Sequence, residues 1–73
     1  MSVQTPIFGY TPVQSQYLSR LLRLQAMKAL EEREGAPSRV RRLIDRATYA
    51  AWVECRDAGL GFEARHIVAA ASA

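Results

Sequence analysis

The sequence predicts an all-α fold, a small three-helix domain with an extended N-terminal arm. Apolar residues recur every three or four positions in three segments, which is the spacing of one face of a helix. Two breakers, Gly35-Ala36-Pro37 and Gly59-Leu60-Gly61, separate the segments, because glycine readily adopts the left-handed conformation that ends a helix. With 73 residues, the chain is expected to form one domain, residues 1–73, around a single modest core.

The predicted arm covers residues 1–11. Pro6 and Gly9 interrupt its bulky apolar side chains, which show no helical period. These side chains have two interpretations: they fold back onto the helices and enlarge the core, or they become ordered against a partner. In the second case, Phe8 and Tyr10 would be the apolar anchors.

The first helix is predicted over residues 12–34. Thr11 stands at the cap, Pro12 at the first helical position and Gln14 three residues after the cap, which is the pattern of a capping box. Gly35 is expected to end the helix. The apolar residues that recur at helical spacing along this segment are Tyr17, Leu18, Leu21, Leu22, Leu24, Ala26, Met27, Ala29 and Leu30.

The second helix is predicted over residues 39–58, with Ser38 as its cap and Gly59 as its end. One side of this helix is apolar and consists of Val40, Leu43, Ile44, Ala47 and Ala51. A short third helix is predicted over residues 62–71. Its apolar stripe consists of Ala64, Ile67, Val68 and Ala71.

Basic residues cluster on the other side of the second helix, and we call this set the arginine stripe. Its members are Arg39, Arg42, Arg46, Tyr49, Val53 and Arg56. At ~100° per residue these positions cover roughly one third of the helix circumference. A solvated face would not need Tyr49 or Val53, so the arginine stripe is the best candidate for a contact surface.

The charges of the arginine stripe have three interpretations: a solvated face, a contact with an acidic protein, and a contact with phosphates. Arg41 lies off the stripe and is predicted to pair with Asp45 at i,i+4, which leaves Arg39, Arg42 and Arg46 free. The net charge of +3 and the isoelectric point of about 9.6 suit either kind of anionic partner. The helix lacks the Asn and Gln side chains that commonly read adenine, which argues against sequence-specific DNA recognition.

The residues needed for catalysis do not converge in this sequence. Cys55 is the single cysteine and His66 the single histidine, so neither a zinc site with standard ligands nor a nucleophilic triad can be assembled. Gly59-x-Gly61 follows a helix and is interpreted as a turn. We therefore expect no enzyme activity, no cofactor and no metal site.

The expected location is the cytoplasm. A lone cysteine suits a reducing compartment, and the N-terminal segment lacks the basic start and the long apolar run of a signal peptide. No segment approaches the ~18 to 20 continuous apolar residues that span a membrane, so no membrane contact is expected. We expect a monomer; the alternative is a helical homo-oligomer in which Trp52 and the leucine-rich first helix pair across a twofold axis.

The chain resembles a known family in its size and in three features. These are an apolar arm, a capped leucine-rich helix and the run Arg39-Val40-Arg41-Arg42. The chain resembles the small transcription regulators of the Xanthomonas bacteriophage type. The resemblance implies a non-enzymatic protein in the host cytoplasm that binds bacterial RNA polymerase, inhibits promoter-dependent initiation and promotes read-through of terminators.

The resemblance assigns no functional residue, so the expected partner-binding set comes from the pattern alone: Arg39, Arg42, Arg46, Tyr49, Phe8 and Tyr10. The alternative function is that of a small basic nucleic-acid-binding protein, which uses the same arginines on RNA or DNA phosphates.

Overall fold

The computed structural model describes residues 9–72, apart from the side chains of residues 71 and 72. It contains three α-helices: α1 (Pro12–Glu34), α2 (Ser38–Asp57) and α3 (Gly61–Ser72). No strand occurs within residues 9–72. The predicted all-α class is therefore confirmed, and each helix boundary lies within one residue of its predicted position. Most of the predicted arm, residues 1–8, lies outside the described residues.

The start of α1 is fixed by the predicted capping box. The Thr11 hydroxyl accepts a hydrogen bond from the Gln14 backbone N–H at 3.1 Å, and the Gln14 side-chain oxygen accepts one from the Thr11 N–H at 3.1 Å. The Gln14 amide also donates to the carbonyl of Ala58 at 3.1 Å. The same residue thus caps α1 and ties it to the end of α2. At the other end of α1, Gly35 adopts φ 70° and its N–H donates to the carbonyl of Glu31.

The predicted cap of α2 is wrong. The helix begins at Ser38 itself, so the cap position falls on Pro37, and no side chain makes a cap hydrogen bond. The prediction failed because Ser38 has helical backbone geometry instead of the extended geometry of a cap residue. The end of α2 follows the prediction, because Gly59 adopts φ 82° and the next N–H, that of Leu60, donates to the Cys55 carbonyl at 2.8 Å.

The core lies where all three helices meet. Leu21 from α1, Cys55 from α2 and Ala64 from α3 are completely buried, and Leu60 in the α2–α3 turn is 1% exposed. The core cluster as a whole consists of Leu18, Leu21, Ala51, Cys55, Leu60 and Ala64. Small side chains on α2 and α3 let these helices approach α1 closely. Burial in this apolar setting raises the pKa of the Cys55 thiol above its usual range.

The buried face of α2 differs in part from the predicted apolar side. Ile44 and Ala51 are buried as predicted, but Leu43 is 60% exposed and Thr48 is buried in its place. The Thr48 hydroxyl donates to the Ile44 carbonyl at 2.7 Å, so its polar atom is satisfied inside the helix. Ile44, Thr48, Ala51 and Cys55 form one line along the helix, whereas Leu43 lies ~100° from Ile44 around the axis.

In α1, as in α2, burial does not follow hydrophobicity alone, because Gln25 is buried while several apolar residues remain exposed. Leu22, Met27 and Leu30 are each between 43% and 51% exposed. No helix in the described part of the chain is both long and apolar enough to cross a membrane.

Replacing Leu21 by alanine tests the position of the core. Because Leu21 is fully buried, Leu21→Ala is expected to lower the free energy of unfolding by about 2–5 kcal/mol, through lost burial and the cavity left behind. Leu22→Ala removes the same atoms from a side chain that is half exposed, so it should cost well under half as much. Urea unfolding followed by circular dichroism measures both, and equal losses would contradict the described core.

Candidate partner-binding surface

The arginine stripe lies on the outer side of α2, opposite the residues that face the core. Arg39, Arg42 and Arg46 are all exposed, and Tyr49 is 67% exposed. Val53 is half-buried, although its angular position falls within the stripe. Arg39, Arg42, Arg46 and Tyr49 share one outward surface, because the core contacts of α2 fix its rotation about its own axis.

Three arginines of the stripe have no close ion pair in the described part of the chain. Among residues 9–72, no carboxylate oxygen lies within 4 Å of a guanidinium nitrogen of Arg39, Arg42 or Arg46. The predicted pair of Arg41 with Asp45 is wrong, because the Asp45 carboxylate contacts Lys28 Nζ of α1 at 3.3 Å instead. A contact between neighbouring helices has thus replaced the contact within α2.

Arg41 and Arg42 face acidic residues at longer range. They line a crevice of about 320 Å³ between the end of α1 and the start of α2, together with Glu31 and Glu32. The opposed charges are too far apart to form ion pairs, but they partly compensate each other across the crevice. Arg39 and Arg46 do not line this crevice. Their charges are therefore the most open ones on the stripe.

The arginines near the start of α2 also act against the helix dipole. Unpaired N–H groups give the first turn of a helix a partial positive charge, which favours acidic side chains there and disfavours basic ones. The first turn of α2 contains no acidic residue and has no side-chain cap, yet Arg39 lies in it. Because Arg39 is unfavourable for the helix at this position, it is a stronger candidate for a contact with an outside anion than an arginine in the middle of the helix.

The far end of the stripe is aromatic. The rings of Tyr49 and Trp52 stack with centroids 6.3 Å apart and an angle of 27° between their planes. Arg56 turns away from the other arginines: its Cζ lies 5.3 Å from the Trp52 ring centroid, and its Nε contacts the Asp57 carboxylate at 3.3 Å. Arg56 is thus held by its neighbours, and the open part of the stripe ends at Tyr49.

The two predicted arm anchors have different outcomes. Tyr10 packs against the core, and its hydroxyl donates to the Glu63 carboxylate of α3 at 2.8 Å. That hydrogen bond is the main reason why the pKa of Tyr10 is raised, with smaller contributions from burial and from the negative charge of Glu63. The position of Tyr10 fits the interpretation that the arm enlarges the core. Phe8 lies outside the described residues.

Sequence reasoning missed a second surface, which is a mainly apolar groove between α2 and α3. Trp52 lies on its α2 side, while Arg65 and Ala69 lie on its α3 side. The i,i+4 spacing of Arg65 and Ala69 was the available signal, since it places both residues on one face of α3. Only the packing of α3 against the other helices shows that this face meets Trp52.

Neither similarity to known proteins nor a metal site identifies a function for the described part of the chain. Comparison with family models, with curated proteins and with solved structures gave no match. Within the described residues, no group of three or more His, Cys, Asp or Glu side chains is placed to hold a metal ion. The chemistry of a partner is therefore inferred from the surfaces themselves.

Replacing Arg39 by glutamate tests the conflict with the helix dipole. An acidic side chain suits the first turn of α2, so Arg39→Glu is expected to raise the free energy of unfolding by about 0.3–1 kcal/mol at low salt. Arg46→Glu is the matched control: both substitutions place a glutamate near Arg42, but position 46 lies two turns into the helix. Urea unfolding at low and high salt measures the difference, and equal gains would assign the effect to Arg42 instead of the helix end.

Replacing Tyr10 by phenylalanine tests the contact with Glu63. Because the pKa of Tyr10 is raised in the folded state, its contribution to stability is fully present below the ordinary pKa of 10. The contribution is lost as the pH rises through the higher folded value. Tyr10→Phe should therefore make stability fall less steeply above pH 10 than in the unsubstituted chain. The measurement is the urea midpoint at a series of alkaline pH values, with the exposed Tyr49→Phe as control; identical slopes in all three proteins would contradict the contact.

Proposed function

We propose that this chain is a non-enzymatic helical binding module that regulates bacterial transcription by docking on RNA polymerase. It would inhibit promoter-dependent initiation and promote read-through of terminators. One observation carries the binding part of the proposal: Arg39, Arg42 and Arg46 stand exposed beside Tyr49, with no described carboxylate within 4 Å of their guanidinium groups. The choice of the polymerase as partner rests on the resemblance of the sequence to phage regulators.

The chemistry of the arginine stripe suits an acidic protein surface. A guanidinium group presents several N–H donors in a fixed plane, which matches the two oxygens of a carboxylate. Arginine and tyrosine are also enriched among the residues that dominate binding energy at protein interfaces. Tyr49 adds a large apolar area beside the charges, and its stacking on Trp52 holds the ring in place before a partner arrives.

A second function, binding to single-stranded nucleic acid, is favoured by the same aromatic pair. Proteins that bind single strands without sequence preference combine a basic surface with aromatic rings on which bases stack. Tyr49 is exposed and adjoins the arginines, so it could serve as such a ring. This candidate differs from the first in its salt dependence: each neutralised phosphate should steepen the fall of log K with log salt by about 0.7 for single strands and about 0.9 for duplex DNA.

The proposal predicts that purified bacterial RNA polymerase binds the chain through the arginine stripe. Arg39→Glu with Arg46→Glu should weaken binding by roughly 100-fold or more, because two charge-assisted contacts are lost and two repulsions are created. The matched control is Arg23→Glu with Arg33→Glu, which changes the net charge equally on the exposed side of α1. Fluorescence anisotropy of the labelled chain measures the affinities, and circular dichroism shows that both variants fold.

The results separate the two functions. Equal weakening by both pairs of substitutions would show that only net charge matters, which would contradict a docking surface. Tighter binding to a random RNA or DNA oligomer than to polymerase, with the salt slope given above, would support the second function. In a transcription assay with purified polymerase, the unsubstituted chain should reduce promoter-dependent transcripts and increase terminator read-through. The stripe variant should do neither.

A further inference from the structure

The groove between α2 and α3 has a volume of about 580 Å³ and mainly apolar walls. The side chains that matter here are Tyr49 and Trp52 on one wall, and Val68 and Ala69 on the other. Tyr49 belongs to both surfaces, so the groove adjoins the arginine stripe. A groove of this size accommodates several side chains of a partner or one drug-sized molecule.

Thr48 and Gln25 are the buried polar residues that line the groove, and the hydroxyl of Thr48 already has a partner. The Thr48 hydroxyl donates to the carbonyl of Ile44 at 2.7 Å. In the described part of the chain, no buried side-chain nitrogen or oxygen lacks a hydrogen bond. The apolar walls therefore supply most of the contact for an occupant, and the Gln25 amide is the polar group that remains for it at the bottom of the groove.

The rim of the groove carries an excess of positive charge. Lys28 and Asp45 neutralise each other through their 3.3 Å ion pair. Arg65 on the opposite rim is exposed, and no carboxylate of residues 9–72 lies within 4 Å of its guanidinium group. An occupant that complements the groove thus has an apolar side chain for the walls and a carboxylate for Arg65.

We infer that the groove between α2 and α3 binds an acidic amphipathic peptide segment of the partner protein, with an apolar side chain beside Trp52 and a carboxylate on Arg65. This inference rests on the proposed function in one respect, namely that the partner is a protein. It adds a second contact surface and the chemistry of the segment that fills it.

Two other occupants fit the groove less well. A nucleic-acid strand brings a phosphate with every nucleotide, whereas the rim offers one unpaired cation and includes the Asp45 carboxylate. At the base of the protein's own arm, the hydroxyl of Tyr10 is bonded to Glu63. Glu63 and Arg65 point ~160° apart around α3, so Tyr10 lies on the side of that helix away from the groove.

Trp52 allows a direct test, because it is the single tryptophan in the chain and lines the groove. The probe is a synthetic helical peptide with leucines on one face and glutamates on the other. Its binding should shift the Trp52 emission to shorter wavelength as water leaves the ring. A peptide with glutamine in place of glutamate should bind about tenfold more weakly, and Arg65→Gln should remove that preference.

A matched pair of alanines on α3 tests the location. Ala69→Phe places a ring in the groove and should abolish the Trp52 response. Ala70→Phe adds the same ring at an exposed position ~100° further round the helix, and the response should persist. An unresponsive Trp52, equal losses in both variants, or a stronger response to a random RNA oligomer than to the acidic peptide would overturn the inference.

Binding to polymerase separates this inference from the proposed function. If both hold, Ala69→Phe and the stripe variant Arg39→Glu with Arg46→Glu should each weaken polymerase binding, while Ala70→Phe should not. If Ala69→Phe binds polymerase normally and the stripe variant does not, the groove inference is wrong and the proposed function stands. If no variant or unsubstituted chain binds polymerase but the acidic peptide still shifts Trp52, the groove binds such segments in a different partner.

Discussion

The burial of one line of residues along α2 determines how the rest of the molecule is presented. Ile44, Thr48, Ala51 and Cys55 recur at intervals of four, three and four residues, and all are buried. Because three of them are small, α2 lies close to the core and cannot turn about its axis without exposing them or creating a void. The outward position of the arginines follows from this packing. The helix backbone that carries this basic surface is therefore fixed by the core, so binding orders the arginine side chains but not the helix itself.

The charged residues on both sides of the turn between α1 and α2 lower the stability of the two helix ends. Acidic residues gather at the C-terminal end of α1 and arginines at the N-terminal end of α2, and both oppose the helix dipoles. The two sets partly offset each other across the crevice that Glu31 and Arg42 share. Arg39 lies outside that crevice and has no such compensation. A chain selected for stability alone would place an acidic residue at this position, so the basic residue points to a requirement outside the fold.

Sequence patterns among near neighbours predicted the helix boundaries well. Features that depend on packing between helices were not predicted from them. The capping box at Thr11 and the left-handed glycines 35 and 59 involve residues close in sequence, and the structure confirms all of them. The exposure of Leu43 could not be predicted, because the apolar side of α2 is wider than the line that meets the other helices. The partner of Asp45 likewise depends on α1, which brings Lys28 next to it.

The candidate surfaces show the same difference between features of one helix and features that depend on packing between helices. The arginine stripe belongs to one helix, so helical periodicity was enough to predict it. The groove is lined by α2 and α3, with Gln25 and Lys28 of α1 beside them, and it depends on the packing of these helices around the core that contains Leu60 and Ala64. Periodicity within α2 or α3 alone contains no information about how close the two helices come to each other. The exposed side of a single helix can therefore be predicted from sequence in this chain, while a groove built between helices requires the structure.

The two adjoining surfaces would contribute to binding in different ways. Exposed charges act at long range and mainly raise the rate of encounter with an oppositely charged partner, an effect that salt weakens. Apolar contacts in a groove act only after docking and mainly slow dissociation. In the proposed binding mode, the arginine stripe would thus govern the association rate, and the groove beside Trp52 would govern the lifetime of the complex. Tyr49, which belongs to both surfaces, lies where the two contributions meet. In that mode, two adjoining contacts of different physical character would make binding both fast and long-lived.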